Sequence, residues 1–465
     1  MKLKFCGAAK EVTGSRHLLE VNGKKILLDF GLFQGRREES KQKSASFCMD
    51  PKDIDAVILS HAHIDHSGGL PFLAKNGFNG PIYSTFATRD LCNYMLMDSA
   101  FIQEKDAEYW NKKNARKGLP LVEPDYTSED ALAALKLFYG VSYEKAFVVT
   151  DGVVCSFYDA GHVLGSSLIH LLIHEKETDK RFSLAFTGDL GRKNLPILRD
   201  PQQLPPSDYL ITECTYGDRF HESMTEAGKK LTEVVNRTVE RGGKILIPAF
   251  ALERTQEIVY HLNSLWQQKK IPDVPIYVDS PLAANVTEVF VNHPECYDAE
   301  TFDEFIKNRK NPFGFGRLKY TRDVEESKAL NDLNGPAIII SASGMCENGR
   351  IMHHLKNNIE DPKNTVMIVG YMAKNTLGRK ILEKQQVVNI FGDPYKLRAE
   401  VACMDVFSGH ADRSDLLSFI SDIKGLKKIF LVHGEEEQGG KFKKYLGENG
   451  FNDVEQPDPE QEFEI

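Results

Sequence analysis

The chain has 465 residues, of which 41% are hydrophobic and 27% are charged, and its formal net charge is −9 at pH 7. A chain of this length can bury a large core and is expected to form two or more domains. No apolar run approaches the roughly 18 residues of a membrane span, and the negative charge excludes binding of polyanions through a global positive field.

The opening segment MKLKFCGAAK lacks the continuous apolar stretch of a secretory signal, which predicts a cytoplasmic protein without membrane contacts. The eight cysteines are scattered singly, with no Cys-x-x-Cys pair, so reduced thiols are expected. The sequence leaves a homodimer possible.

Short apolar runs in the first half of the chain are each followed by residues that can bind metals. Residues 1–30 predict strands around a turn at Asn22 and Gly23. AVIL predicts a strand before SHAHIDHSGG, and helices are expected over 89–117 and 128–138. CSFY and FSLAF, and later KKIFLV, predict further strands. The residues that follow the strands are Asp29, His61, His63, Asp65, His66, His162, Asp189 and His433.

The crowded stretch SHAHIDHSGG predicts a metal site. Imidazole and carboxylate are ligands of zinc-like ions, and alternating side chains of an extended loop point to one side. This alternation groups His61, His63 and Asp65, whereas His66 breaks it, which indicates two sets of ligands aimed at two ions. A solvated loop that happens to be rich in histidine is the alternative.

After Glu213 the pattern changes to alternating helices and strands. KILIPAF, VPIYVDS, GPAIIIS and NTVMIVGY predict buried strands in a parallel sheet covered by helices. Ligands bind at the carboxyl ends of such strands, where backbone N–H groups and arginines can hold phosphates. This reasoning predicts substrate contacts, with ordinary helix capping as the open alternative, at Ser341, Ser343, Arg350, Asn375, Thr376 and Arg379.

A basic and aromatic run lies between Lys307 and Arg322. It contains three aromatic residues on which nucleic-acid bases could stack, Phe313, Phe315 and Tyr320. A solvated loop explains the same composition, and both interpretations remain open.

The ordered residues from Asp29 to Asp189 resemble the motifs of the metallo-β-lactamase superfamily. ITECTYGDRFH, ISASGMCENGRIMHHL, GYMAKNTLGRKI and DVFSGHADRSDLLSFI resemble those of its β-CASP branch. The resemblance implies an α/β fold, in which a metallo-β-lactamase αββα sandwich carries an inserted β-CASP domain with a mainly parallel sheet flanked by helices. The sandwich would comprise 1–215 and 395–465, including a C-terminal RNA-specificity segment, and the insert would comprise 216–394.

The resemblance also implies roles for the site residues. One zinc ion would be bound by His61, His63 and His162, and a second by Asp65, His66 and His433. Asp189 would bridge the two ions, for which manganese is the alternative metal, and Asp29 would orient a ligand. His410 and Glu213 would form a catalytic acid pair outside the metal set, with Asp65 the third catalytic residue.

The function implied by the resemblance is hydrolysis of RNA phosphodiester bonds. The cleavage is expected to be endonucleolytic and also 5′-to-3′ exonucleolytic, in RNA processing or decay. A small-molecule hydrolase such as a thioesterase, a metal-free scaffold and a DNA-directed nuclease are the alternatives. DNA-cutting relatives usually lack a histidine at the position of His433, which favours RNA.

Overall fold

A computed structural model describes residues 1–35, 37–221, 224–370, 372–373, 375–404 and 408–465. Positions 371, 374 and 405–407, which belong to two of the quoted motifs, lie outside the described residues. The chain forms two compact units. Unit 1 comprises Met1–Asn194, Leu198–Phe220 and Gly409–Ile465, and unit 2 comprises Leu195–Ile197 and His221–Ser408.

The first sheet of unit 1 has seven strands among the described residues, in the order β22-β1-β2-β3-β4-β5-β6. They are β1 (Lys2–Phe5), β2 (His17–Val21), β3 (Lys24–Leu28), β4 (Ala56–Ile58), β5 (Ile82–Thr85), β6 (Phe138–Val141) and β22 (Glu462–Glu464). The predicted turn at Asn22 and Gly23 is confirmed, and both residues have positive φ, as a tight hairpin requires. From β3 to β6 the strands are parallel.

The second sheet of unit 1 also has seven strands within the described part of the chain, in the order β21-β20-β11-β10-β9-β8-β7. They are β7 (Phe147–Thr150), β8 (Val153–Asp159), β9 (Ser167–Glu175), β10 (Lys180–Phe186), β11 (Tyr209–Glu213), β20 (Lys428–Val432) and β21 (Val454–Glu455). Pairing is antiparallel from β7 to β10 and parallel from β10 to β21. The carboxyl ends of the parallel strands β10, β11 and β20 therefore lie side by side.

The two sheets of unit 1 pack face to face around an apolar core. Ile58 of the first sheet and Phe157 and Phe186 of the second belong to this core and are buried. On the outer face of the second sheet, Leu416 and Phe442 pack from two helices. The helices of unit 1 are α1 (Arg37–Ala45), α2 (Ile64–Ser67), α3 (Leu70–Lys75), α4 (Phe86–Ala115), α5 (Ser128–Leu135), α13 (Arg413–Asp422) and α14 (Glu436–Glu448).

Helix α4 contacts β5 and β6, so helices cover both outer faces and the predicted αββα sandwich is confirmed. The helices expected over 89–117 and 128–138 are α4 and α5, with slightly different limits. Among the described residues, no helix combines the length and apolarity needed to cross a membrane.

Among its described residues, unit 2 contains a six-stranded sheet in which every strand pairing is parallel, which confirms the predicted parallel sheet. In the order β14-β13-β15-β12-β16-β19, its strands are β12 (Ile245–Pro248), β13 (Ile276–Asp279), β14 (Leu318–Tyr320), β15 (Ile338–Ser341), β16 (Thr365–Ile368) and β19 (Glu400–Cys403). A separate hairpin consists of β17 (Val387–Ile390) and β18 (Asp393–Lys396). The helices are α6 (Met224–Glu240), α7 (Arg254–Gln267), α8 (Pro281–Asn292), α9 (Ala299–Phe302), α10 (Val324–Ala329), α11 (Ile351–Asn358) and α12 (Leu377–Leu382).

The expectation that all cysteines are reduced thiols is wrong for one pair. Cys6 and Cys48 form a disulfide, with Cα atoms 5.8 Å apart. Their 42-residue separation gives no local signal, because only the tertiary fold brings the two chain segments together. Burial raises the pKa of the Cys92 and Cys155 thiols, which behave as small apolar side chains.

Candidate metal centre

The histidine-rich stretch begins at the end of β4 and does not remain extended. His63 occupies the N-cap position of α2, and Asp65 and His66 lie within that single helical turn. The predicted grouping of Asp65 with His61 by alternation is therefore wrong, because a helical turn rotates successive side chains by a different angle from a strand. This turn places Asp65 and His66 in a second group of candidate ligands, together with His433.

The first group of candidate ligands contains His61, His63, His162 and Asp189. The Nδ1 atom of His63 lies 3.1 Å from Nε2 of His61 and 3.3 Å from Nε2 of His162. Asp189 Oδ2 lies 3.5 Å from Nε2 of His61 and 3.4 Å from Nε2 of His162. Tetrahedral zinc with bonds of roughly 2.0–2.1 Å separates its ligand atoms by about 3.3 Å. The side chains thus have both the chemistry and the spacing of a zinc site.

The second group contains Asp65, His66 and His433, next to the other oxygen of Asp189. His66 Nε2 lies 3.2 Å from Asp189 Oδ1, and His433 Nε2 lies 3.5 Å from Asp65 Oδ2. Within the described part of the chain, His66 Nε2, His433 Nε2 and Asp189 Oδ1 are buried without a hydrogen-bond partner. Buried polar atoms without partners are costly unless an ion or water satisfies them, so this second group also fits a metal.

Asp29 fixes the orientation of two candidate ligands from beneath the site. Its Oδ2 accepts from Nδ1 of His66 at 2.6 Å and from the Ser60 hydroxyl at 2.9 Å, and Ser60 Oγ lies 3.0 Å from Nδ1 of His61. Each of the two bonds to a ring Nδ1 places the ring proton on that nitrogen and leaves Nε2 of the same histidine with a lone pair for a metal. Asp29 itself has a φ of 61°, a strained conformation of the kind that is retained at functional sites.

Three orienting groups were not predicted from the sequence. Besides Ser60, the carbonyl oxygen of Gly409 lies 3.2 Å from Nδ1 of His162, and Thr215 Oγ1 lies 3.0 Å from Nδ1 of His433. Ser60 and Thr215 could have been suspected, because each hydroxyl adjoins a motif at a strand end. A backbone carbonyl such as that of Gly409 leaves no signal in residue type.

The pKa values of the first group favour neutral imidazoles. Burial lowers the pKa of His61 and His162 well below the ordinary value and that of His63 to about 4. At His66 burial acts in the same direction, but the carboxylates of Asp189 and Asp29 outweigh it and raise the pKa. The surrounding imidazoles lower the pKa of Asp189 despite its burial. In the first group, the ionised carboxylate of Asp189 among three neutral imidazoles is a donor set that binds a cation.

His410 lies beside the first group and is paired with Glu213. Its Nδ1 lies 3.0 Å and 3.1 Å from the two carboxylate oxygens of Glu213 and 3.9 Å from Asp189 Oδ2. Glu213 is fully buried and also accepts from the backbone N–H of Leu190 at 2.6 Å. Burial would lower the pKa of His410, but Glu213 and then Asp189 raise it to about 9.

The alternative that His410 caps the following helix is wrong. Asp412 caps α13, because its side chain accepts from the backbone of Ser414 and Asp415. Nδ1 of His410 instead contacts the carboxylate of Glu213, so Nε2 is the ring nitrogen that can contact a substrate.

In unit 2, three of the predicted substrate contacts adjoin the end of β15. Ser341 is buried and donates to the carbonyl oxygen of Asp279 at 2.9 Å, and the hydroxyl of Ser343 accepts from the backbone N–H of Glu347 at 3.3 Å. Arg350 binds the buried carboxylate of Asp279 through Nη1 at 2.7 Å. His354 and Ser327 bond the same carboxylate, each at 2.6 Å. Arg350 is therefore already part of an internal polar network.

The other three predicted contacts adjoin α12. Thr376 caps this helix, because its hydroxyl accepts from the backbone N–H of Arg379 at 3.1 Å. Capping by Asn375, one of the alternatives, is thus wrong, and Asn375 is exposed with a φ of 72°. Arg379 pairs with Glu383 at 2.6 Å on the helix surface. Contact of these residues with substrate stays a prediction.

Most of the predicted basic run is neutralised by acids of unit 2. Lys319 pairs with Glu326 at 2.9 Å, and Arg317 and Arg322 pair with Asp273 and Glu288. The prediction that a base could stack on Phe313 is wrong, because only 2% of the surface of this residue is exposed. These pairs favour the solvated-loop interpretation for this segment.

Replacement of Arg350 by alanine is expected to lower the free energy of unfolding by about 2–3 kcal/mol, because a buried carboxylate loses a cation that is itself only partly exposed. The matched change Arg379→Ala removes an exposed pair and should cost about 0–1 kcal/mol. Urea unfolding checks both values. Hydrogen bonds and Arg350 hold the pKa of Asp279 at about 2 despite burial, so the Arg350 effect should persist above about pH 4 and shrink as the pH falls toward 2. Weaker RNA binding with unchanged stability would instead support phosphate contact by Arg350.

The fold and the site together define a class of protein. A sandwich with helices on both outer faces, and histidines and aspartates gathered where strands end, is the architecture of a metallo-β-lactamase-type hydrolase. Residues 18–180 match the metallo-beta-lactamase superfamily domain, residues 255–381 the Beta-Casp domain, and residues 394–456 the Zn-dependent metallo-hydrolase RNA specificity domain. The chain belongs to the β-CASP family of the metallo-β-lactamase superfamily.

Similar proteins cover almost the whole chain. Ribonuclease TTHA0252 of Thermus thermophilus is 38% identical over 94% of this chain and 94% of its own length. The RNase J-like protein of Methanocaldococcus jannaschii is 32% identical over 95% and 94%, and transcription termination factor FttA of Methanosarcina mazei is 32% identical over 94% and 67%. A crystal structure of a protein of unknown function from Enterococcus faecalis aligns with a TM-score of 0.54 at 14% identity over 99% of each chain, which supports the fold alone.

Proposed function

We infer that this chain is a metal-dependent ribonuclease that hydrolyses the phosphodiester bonds of RNA. The observation that carries this function is the convergence of six candidate metal ligands around Asp189, with the His410–Glu213 pair next to them. RNA as the substrate is supported by the RNA specificity domain matched at residues 394–456 and by the ribonuclease that is 38% identical to the chain.

We propose that the centre holds two zinc ions, with manganese as the alternative metal. His61, His63 and His162 would hold one ion, Asp65, His66 and His433 the other, and Asp189 would contact both. Two such ions supply Lewis acidity to a phosphate and an activated water for attack on phosphorus. The bonds from Asp29, Ser60, Thr215 and the Gly409 carbonyl hold the imidazole rings in place, so that the ligand nitrogens would face the ions.

The leaving oxygen of the RNA chain needs a proton, and we propose that His410 donates it. The carboxylate of Glu213 holds Nδ1 and favours the charged imidazolium, so a proton is available at neutral pH. Glu213 acts through His410 and is a positioning residue. Asp65 contributes charge to the metal set and has a pKa lowered to about 2 by His433 and His66, despite burial.

Finer features of the activity are also proposed. Endonucleolytic cleavage with additional 5′-to-3′ exonucleolytic cleavage fits a role in RNA processing or decay. A cytoplasmic location and a homodimer stay predictions, as does the division into residues 1–215 and 395–465 around an insert at 216–394.

Cleavage of end-labelled RNA tests the proposed function. The purified chain should cut single-stranded RNA, cut the matching DNA more slowly, and lose activity with a chelator that zinc then restores. Labelling of the 5′ and 3′ ends in separate reactions separates internal cuts from stepwise removal at the 5′ end. Equal cutting of DNA would favour the DNA-directed alternative, and hydrolysis of a thioester with intact RNA would favour the small-molecule alternative.

A further inference from the structure

The C-terminal end of α4 and the loop after it form a basic surface in an acidic protein. Residues 109–122 contain four cations, Lys112, Lys113, Arg116 and Lys117, and no carboxylate, whereas the chain as a whole carries a net charge of −9. We call residues 109–122 the α4 tip. All four cations are exposed.

The cations of the α4 tip are not neutralised by neighbouring acids. Among the residues that the structure describes, none of the four takes part in an ion pair, and the preceding acid, Glu108, is bonded to Lys105 at 2.9 Å. Lys112 adds only a weaker attraction to Glu108. The basic run at 307–322 is different, because acids pair with most of its cations. The α4 tip therefore presents its charge to solvent and to any polyanion.

The surface is ordered rather than a loose loop. Asn111 bonds both the carbonyl oxygen and the N–H of Val122, at 3.0 Å and 2.7 Å, and Asn114 donates to the carbonyl oxygen of Pro120 at 2.8 Å. These bonds fold the loop back on the helix. Tyr109 is 61% exposed on the same tip, and an exposed aromatic ring beside cations is the pattern of a single-strand binding surface.

We propose that the α4 tip is a second RNA-binding surface, which holds phosphates through its four cations while a base stacks on Tyr109. The proposal rests on the proposed ribonuclease function and adds a contact outside the metal centre. RNA is favoured over an anionic membrane because the cations and the ring lie on one rigid helix end, which suits a chain of regularly spaced phosphates and flat bases.

The position of the tip predicts a dependence on RNA length. At the other end of α4, the hydroxyls of Thr85 and Thr88 donate to the carbonyl oxygen of Gly165, in the loop that carries His162. Thirty residues of helix span about 45 Å at 1.5 Å per residue. At roughly 3.4 Å or more per nucleotide, an RNA needs on the order of 10 nucleotides to reach from that loop to the tip.

Charge reversal tests the proposal. The triple variant Lys112→Glu, Lys113→Glu and Arg116→Glu should bind a long single-stranded RNA on the order of 10-fold more weakly at low salt, and the slope of log affinity against log salt should fall by about 2. Cleavage of an RNA too short to reach the tip, and of a nitrophenyl phosphodiester, should be unchanged. Tyr109→Ala should weaken the binding of long RNA about fivefold or more, with less effect on the slope of log affinity against log salt.

A matched variant controls for total charge. Lys24→Glu, Lys25→Glu and Lys176→Glu make the same change at and beside the turn between β2 and β3, where each lysine already faces an acid. Equal loss of RNA affinity in both triple variants would overturn the proposal, because the effect would come from net charge. Loss of binding to phosphatidylserine vesicles with unchanged RNA affinity would also overturn it, in favour of a membrane surface. Failure of the wild-type protein to cut any RNA would instead contradict the proposed function.

Discussion

Replacement of Asp189 by asparagine is expected to lower the rate of RNA cleavage by at least roughly 10³-fold and to reduce the metal content. Asp189 lies between both groups of ligands, 3.4 Å from His162 Nε2 and 3.2 Å from His66 Nε2. Asparagine keeps the shape but removes the charge that attracts the cations. The several kcal/mol of stabilisation that such ions give a transition state correspond to about that rate factor. Metal analysis and initial rates on end-labelled RNA provide the measurement.

The control for this prediction is Asp179→Asn, which removes one carboxylate from an exposed turn of the same unit. This variant should keep its metal and its rate. An Asp189→Asn protein with wild-type metal content and wild-type cleavage would contradict a bridging role for Asp189.

Replacement of His410 by alanine is expected to slow RNA cleavage on the order of 10²- to 10⁴-fold, with both metals retained, because a general acid is lost. A nitrophenyl phosphodiester, whose leaving group needs no proton, should lose far less. His174→Ala, which removes an exposed histidine paired with Asp179, serves as the control. Loss of a metal from the His410→Ala protein would identify His410 as a ligand, since its ring nitrogen also lies near Asp189 and His433.

The pH profile gives the same prediction a second readout. Glu213 is the main cause that raises the pKa of His410 to about 9 against the effect of burial. The protonated, donating form therefore predominates below that pH, and cleavage should fall as the pH rises through it. Glu213→Gln removes the charge but keeps an oxygen for the Leu190 N–H, so the fall should move to lower pH. An unshifted profile would argue against His410 as the acid.

The strand and helix pattern of this protein could be predicted from local sequence. Each apolar run that preceded a ligand, such as AVIL before His61 or KKIFLV before His433, is a strand in the structure. The alternation rule failed at Asp65 and His66, because a four-residue helix is too short to leave a periodic signal. The grouping implied by the family resemblance agrees with the arrangement in space.

Partners that are distant in sequence could not be predicted. Arg350 and His354 bond Asp279 across 71 and 75 residues, and nothing near Arg350 indicates that its guanidinium is occupied internally. The ion pairs of the basic run at 307–322 could not be predicted for the same reason, because only the fold brings Arg317 next to Asp273. The free charge of the α4 tip could not be predicted from the sequence, because only the fold shows that its four cations have no ion-pair partner among the described residues.

The candidate residues of the site could be named from the sequence, because residue type decides which side chains can bind a metal or carry a proton. Which nitrogen of each imidazole faces the centre depends on the fold. His162 is oriented by a carbonyl oxygen 247 residues away, and His433 by Thr215 across 218 residues. The tautomer of a histidine depends on which group accepts its ring proton, and that group comes from a part of the chain distant in sequence.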